Sequence, residues 1–328
     1  MTELLSHSKP KEGAEALVSD TPITDAVGSV DLVVLEGPSR SQWWELWDQF
    51  KIRKGALGGS AVFFLIVVGV LIGPFVWRVS PTYIDFVTMN TGPSWSHPLG
   101  TDQLGRDLLS RMMAGGRISI AVGLAAAIIS ISIGTLIGVL AGYFKALDGP
   151  LMRLTDLFLS LPVLPLLLVI VMLFRDTAAN IFGLNLGSFI LVVSVTGVTS
   201  WMQAARIVRG EVLAVKQHEF VLASRSIGTP PRRILIRHVL PNIMSPIIVS
   251  ATLGIATAII TESMLSFLGL GFPPDFPTWG RLLYDGIGYM QVYPQLMLWP
   301  GIAISLTVLS VNYVGDGLRD ALDPRLRR

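Results

Sequence analysis

Between Gly55 and Trp77 the chain carries no charged residue, and five later stretches are nearly as apolar. An apolar run of roughly 18 residues or more is long enough to cross the hydrocarbon of a bilayer as a helix. A helix is what it must be, because hydrocarbon offers backbone N–H and C=O groups no partner outside the protein. The reading is therefore an all-α polytopic membrane protein with six transmembrane helices, at about 55–77, 118–143, 157–174, 187–206, 243–268 and 296–314. Composition agrees: 51% of the 328 residues are hydrophobic and only 15% charged, against about 25% charged in soluble domains. With no cysteine, disulfides and thiolate metal ligands are excluded.

Two spans carry further information. Gly134, Gly138 and Gly142 recur every fourth residue in the second, a spacing that puts small residues on one face and lets another helix approach closely. That face suits packing within the chain or between subunits better than contact with a solute. The third span is interrupted by Pro162 and Pro165, whose effect on the helix neighbouring groups can absorb.

The loops orient the bundle. Lys51, Arg53 and Lys54, then Lys145 and Arg153, then Arg225, Arg232, Arg233 and Arg237, and finally Arg319, Arg325, Arg327 and Arg328 all fall on one side of a six-span chain. Basic loops stay inside, so this side is expected to be cytoplasmic, with both termini there. The other side holds Arg78, Arg106, Arg111, Arg117, Arg175 and Arg281. Residues 1–41 are polar and are expected to form a disordered cytoplasmic tail; they lack the charged start and apolar core of a signal peptide. In 42–54, Trp43, Trp44, Trp47 and Phe50 share a helical face away from Glu45, Asp48 and Lys51. This predicts an amphipathic helix, lying in the membrane interface or packed on the flank of the bundle.

The outer loop, 78–117, contains HPLGTDQLGRDLLSR from His97 to Arg111. Its periodicity predicts a short surface helix over Gln103–Met113, with Asp102–Arg106 and Asp107–Arg111 as exposed ion pairs worth ~0.3–0.5 kcal/mol each. The cytoplasmic loop, 207–242, reads as an elbow of two short helices. Glu219 to Ile227 suits the first, Gly228 ends it, and Pro231 suits the first turn of the second. Such an elbow is either a docking surface or a solvated connector.

That elbow resembles the cytoplasmic loop of ABC-importer permeases: Ala223, Ser224, Gly228, Leu240 and Pro241 fall on the family spacing. Leu222 stands where a Glu is usual and His238 where an Ile is usual. The form RHVLPN (237–242), the run HPLGTD-x-x-GRD-x-x-SR, the stretch SFLGLG (266–271) with Trp279-Gly280, and LRDALDPR (318–325) resemble the C-type subunit of the oligopeptide, dipeptide and nickel branch. The resemblance runs from Trp44 to the C-terminus. It implies the type I importer permease fold, with the permease domain over 115–316 and a cytoplasmic tail over 315–328. It implies a bacterial or archaeal plasma membrane, a homologous second permease as heterodimer partner, two ATPase subunits that use ATP and Mg, and an extracytoplasmic substrate-binding protein. It also implies that Glu219, Phe220, Val221, Leu222, Ala223, Ser224, Arg225 and Gly228 form the helix that couples to the ATPase. Di- or oligopeptides are the implied solute, with nickel or another small solute as the alternative.

No G-x-x-x-x-G-K-[ST] loop occurs, so this chain is expected to bind no ATP of its own. His7, His97, His218 and His238 form no zinc-ligand pattern, no catalytic constellation supports a membrane-bound enzyme, and nothing points to nucleic acid. An ion-coupled secondary transporter working alone would be expected to show internal repeats and midplane ion sites; the chain has no repeat and one embedded acid, Glu262. A buried acid in a span usually faces an aqueous path or the bundle interior. Glu262, with Ser263 and Ser266 beside it, is therefore a candidate for the translocation path or its outer gate, or else a structural group paired with Arg281.

Overall fold

The computed structural model describes residues 42–322, side chains from Trp47 onward. The expected tail over 1–41, residues 323–328, and the side chains of Trp43, Trp44 and Glu45 on the amphipathic face lie outside what is described.

Among the described residues all regular structure is helical apart from one isolated bridge, Thr101 with Asp107. In chain order the helices are α1 (Gln42–Ile52), α2 (Lys54–Val76), α3 (Leu108–Tyr143), α4 (Lys145–Ser160), α5 (Val163–Phe182), α6 (Leu184–Val198), α7 (Trp201–Val215), α8 (Glu219–Ser226), α9 (Pro231–Ile234), α10 (Leu240–Asn242), α11 (Met244–Phe267), α12 (Trp279–Gly286) and α13 (Gln295–Leu322). Among the described residues six segments are long and apolar enough to cross a membrane: α2, α3, α5, α6 continued into α7, α11 and α13.

α3 is the central element and touches α2, α4, α6, α7, α11 and α12. Its tightest seam is with α7, and the glycine stripe makes it. A Cβ at Gly134 would lie 2.6 Å from the Ala204 Cβ, one at Gly138 2.6 Å from the Ala205 carbonyl, and one at Gly142 2.7 Å from the Val212 Cβ. The stripe therefore packs within the chain.

Prolines place two of the breaks. Pro162 pushes the preceding Leu161 to extended backbone (φ −75°, ψ 138°), which ends α4 at Ser160 and starts α5 at Val163. The span expected at 157–174 is corrected by this to α5; Leu157–Ser160 belong to the amphipathic α4. In α2, Pro74 lacks an N–H, so the Val70 carbonyl four residues earlier loses its helical donor. Arg117 of α3 supplies one: its Nε donates to the Val70 carbonyl and its Nη2 to the Leu71 carbonyl, both at 2.6 Å. A cation at the end of a span is thereby used to satisfy backbone that hydrocarbon would leave bare. Between α6 and α7 the break at Thr199–Ser200 has a different cause. Both hydroxyls donate to backbone carbonyls, Thr199 to Val195 at 2.8 Å and Ser200 to Thr196 at 2.7 Å, and such local bonds bend helices. α7 then runs to Val215, so the loop expected from 207 is helical for its first nine residues. α13 likewise continues past the expected end at 314 to Leu322.

The surface helix expected over Gln103–Met113 does not form. Gln103–Arg106 make turns, and α3 begins at Leu108, capped by Asp107, whose carboxylate accepts from the Ser110 N–H at 2.8 Å. α1 packs on the bundle flank: Phe50 is buried with Ala56 and Ala321, and Arg53 pairs with Asp320 at 2.8 Å. Trp47 stays half exposed, stacked on Phe50.

The Arg117–Pro74 relation has a direct test. Arg117→Leu is expected to lower thermal stability of the purified protein, by about 1–3 kcal/mol for the orphaned carbonyl. Adding Pro74→Ala should recover part of that loss in the Arg117→Leu background, since alanine at this position restores an N–H donor to the Val70 carbonyl. If Arg117→Leu costs the same with and without Pro74→Ala, measured by thermal unfolding in detergent, Arg117 acts independently of the proline.

Candidate functional site

At one end of the bundle α7, α8, α9 and α10 fold into the elbow. α8 ends as the Gly228 spacing predicts. Gly228 has φ 79°, the Thr229 N–H reaches the Ser224 carbonyl at 3.2 Å, and the Gly228 N–H reaches the Arg225 carbonyl at 3.0 Å. This pair of bonds satisfies carbonyls that the helix end leaves bare, and only glycine takes that backbone conformation freely. Pro231 then opens α9 at its first position. A five-residue π turn, Leu235–Val239, leads into α10.

The elbow has two faces. Val221 and Ser224 point inward, while Glu219, Phe220, Leu222, Ala223 and Arg225 are exposed. Ile227, which sequence reading did not single out, is the most exposed of the apolar side chains here at 83%. The inward face is welded to the bundle. Val221, Ile234, Val239 and Ile243 share one buried cluster with Tyr143 of α3 and with Val208, Val212 and Val215 of α7. The Lys216 ammonium donates to the Gly142 carbonyl at the end of α3 at 2.8 Å, and the Arg225 guanidinium lies 5.9 Å from the centre of the Tyr143 ring. His238 tilts against Phe220, their rings 6.4 Å apart. The Arg209 guanidinium, donating to Asp148 at 2.8 Å, ties α7 to α4 and holds the Asp148 carboxyl below the usual carboxylate range.

At the other end Glu262 is fully buried among α3, α11 and α12. Its partners are hydroxyls. Ser119 of α3 donates to one carboxyl oxygen at 3.0 Å and Ser266, a turn further along α11, to the other at 2.7 Å. Two relays continue from there to the start of α12. The Trp279 N–H donates to Ser119 at 3.2 Å, and Thr278 donates to Ser266 at 3.3 Å while accepting from the Arg281 N–H at 3.1 Å. The carboxyl group thus closes a polar clamp on the first turn of α12. Ser263 is buried on the same side, against Gly280, where a Cβ would lie 2.6 Å from the Ser263 Cα. The pairing of Glu262 with Arg281 is not found: Arg281 pairs with Asp285 at 3.0 Å.

The same end holds a buried charge network where exposed pairs were expected. Asp102 accepts from Arg106 at 2.7 Å and from Arg111 at 2.6 Å, and Arg111 also reaches Asp285 of α12 at 3.1 Å. Arg111 is 1% exposed. Asp107 does not pair with Arg111. Besides capping α3 it accepts from the Trp77 indole at 2.8 Å and meets His97 Nδ1 at 2.9 Å. The GRD run is therefore a knot joining α2, the loop and α3, and the i,i+4 spacing hid this because two of its partners, Trp77 and Asp285, are remote in sequence.

These features define a helical membrane protein with six candidate spans among the described residues, an elbow packed on the bundle at one end and a buried charge network at the other. Comparison with known proteins agrees. Residues 134–328 match the family of binding-protein-dependent transport system inner membrane components, and residues 41–93 match the N-terminal TM domain of oligopeptide transport permease C. The chain belongs to this family of binding-protein-dependent permeases. It is 36% identical to the oligopeptide transport system permease protein OppC of Bacillus subtilis over 92% of this chain and 96% of that protein. It is 40% identical to the dipeptide permease DppC of the same organism over 89% of this chain and 88% of that one. It is 36% identical to the glutathione permease GsiD of Pectobacterium atrosepticum over 90% and 95% respectively. A chain of the MetNI methionine ABC transporter, solved in inward-facing conformations, shares the fold with TM-score 0.52 at 19% identity, over 64% of this chain and 95% of that chain.

The buried network separates from surface pairing by magnitude. Arg111→Met leaves Asp102 and Asp285 short of a buried partner, and loss of one member of a buried pair costs about 3–5 kcal/mol. Arg206→Met removes an exposed pair with Asp156, expected to cost about 0–1 kcal/mol. Thermal unfolding of the two purified variants should differ accordingly; equal stability would place Arg111 in an environment as wet as that of Arg206.

Proposed function

We propose that this chain is the permease subunit of an ATP-driven importer of peptide-class solutes, supplying half of the translocation path and one elbow that couples it to an ATPase. The elbow end, with Lys145, Arg153, Arg225 and Arg232, faces the cytoplasm, and the α12 end faces outward, where a substrate-binding protein delivers the solute. A homologous permease pairs with it, and two ATPase subunits provide the ATP and Mg chemistry; this chain contributes none of its own.

The observation that carries this reading is the elbow's construction. α8 and its C-cap turn Leu222, Ala223 and Ile227 outward, with Phe220 beside them against His218 and His238, while the other face of α8 is fused to α3 and α7 through Val221, Tyr143 and Val212. A force applied to the outward face moves the spans with it. Glu219, Phe220, Leu222, Ala223, Arg225 and Ile227 are the docking side; Val221, Ser224 and Gly228 hold its shape. Leu222 offers an apolar contact where relatives of the motif carry an acid. The clamp around Glu262, with Ser263 and Ser266, fixes α12 to the path-forming helices α3 and α11 at the outer gate.

Ala223→Asp and Ile227→Asp each place an unpaired charge in the docking contact, which is strongly unfavourable once buried. Gly228→Val has no atom within 4 Å of its new Cβ, so it acts through backbone strain at φ 79°, about 1–2 kcal/mol. All three are expected at normal membrane levels with reduced ATPase co-purification and little solute-stimulated ATP hydrolysis. Gln217→Ala, in the exposed turn before α8, should behave as the parent. Parental ATPase binding and hydrolysis in the Asp variants would make the elbow a connector only.

A further inference from the structure

We propose that solute crosses this chain along a charge-free cleft between α3, α5, α7 and α11, where the hydroxyl and amide groups of Ser130, Gln203, Ser250, Thr257 and Thr261 hold a peptide by its backbone N–H and C=O groups. This rests on the importer reading above and names the face and the solute chemistry.

The cleft has a volume of about 310 Å³, and no ionisable side chain lines it. It is bounded by the face of α11 opposite the clamp. Ser250, Gly254, Thr257 and Thr261 follow helical spacing along that face, while Ala258, Ile259, Glu262 and Ser266 are buried on the other. Glu262 is thus committed to the clamp, and the path chemistry falls to its neighbours.

The hydroxyls have a direction. Thr257 donates to the Leu253 carbonyl at 3.1 Å and Thr261 to the Thr257 carbonyl at 2.9 Å. Thr199 and Ser200 across the cleft donate to carbonyls of α6 in the same way. A hydroxyl whose proton is engaged keeps its lone pairs, so these walls present acceptors. Three groups, Ser130, Ser250 and Gln203, are uncommitted among the described residues. Ser130 is only 7% exposed, yet its hydroxyl lines the cleft with no hydrogen-bond partner among the described residues. The Gln203 carboxamide is exposed at the start of α7, also without a partner among them. Acceptors beside uncommitted hydroxyl and amide donors suit a small peptide, whose backbone offers one N–H and one C=O per residue. With no counter-charge on this wall, a solute gains nothing here from a net charge of either sign.

The chain has no cysteine, so single thiols can be introduced without background. Gln203→Cys, Thr257→Cys and Leu136→Cys, the last on an exposed apolar face of α3, are assembled with the partner subunits in nanodiscs, with partner thiols replaced. Each is treated with an anionic sulfonatoethyl and a cationic trimethylammonium-ethyl methanethiosulfonate. Both reagents are expected to modify Gln203→Cys and Thr257→Cys at rates within about fivefold of each other, after normalising to a free thiol. Leu136→Cys, on an exposed apolar face that lipid or a partner subunit covers in the assembly, should react at least about tenfold more slowly, since an apolar cover excludes charged reagents. Rates at Gln203→Cys and Thr257→Cys no faster than at Leu136→Cys would overturn the path, and modification by one sign of reagent alone would overturn its neutrality. Co-purification of an ATPase with the parent chain reports separately on the importer reading, so the two can fail independently.

Discussion

The close approach of α3 and α7 along Gly134, Gly138 and Gly142 is the contact on which the rest of the structure depends. It removes side chains from the seam and lets backbones meet, which is how helices gain contact in a solvent as apolar as they are. Because α7 runs on to Val215, the seam extends beyond the glycine stripe into the cluster of Tyr143, Val212, Val215 and Val221. The elbow is therefore an extension of the central helix pair. Lys216 reinforces the junction by donating to the last turn of α3.

A second constraint acts at the other end, where charge must be satisfied inside the protein. Arg117 answers a carbonyl orphaned by Pro74, Arg111 is shared between Asp102 and Asp285, and Glu262 is met by Ser119 and Ser266. Each of these joins helices distant in sequence. Together they fix α12 to α2, α3 and α11, and leave the hydroxyl-bearing face of α11 free for the cleft.

Much of this was legible in the sequence, and the misses have physical causes. Apolar length found the spans, and Gly228 with Pro231 located the turn of the elbow, because backbone geometry at those residues is local. Charge misled at the edges of the helices. Arg111 and Arg117 looked like the end of a span, yet α3 begins before both, since their partners lie on α12 and α2. Arg206 and Arg209 likewise hid the continuation of α7, where each pairs with an Asp of α4. Pro162 shifted the third span because it dictates the conformation of Leu161. α12, only eight residues long, was not seen as a helix, although Thr278 is a good N-cap signal. The role of Glu262 was undecidable from one dimension: its partner Ser119 lies on α3, and Thr278 joins the clamp through Ser266.

The central claim is that the elbow and the α3–α7 core move as one body when the ATPase acts. Spin labels at Arg232→Cys in α9 and Leu136→Cys in α3, in the assembled transporter with no other reactive thiol, measure this by double electron–electron resonance. The account predicts the same distance distribution in the nucleotide-free and vanadate-trapped complexes. A shift or broadening between the two states would show that the elbow pivots on the spans, and would contradict it.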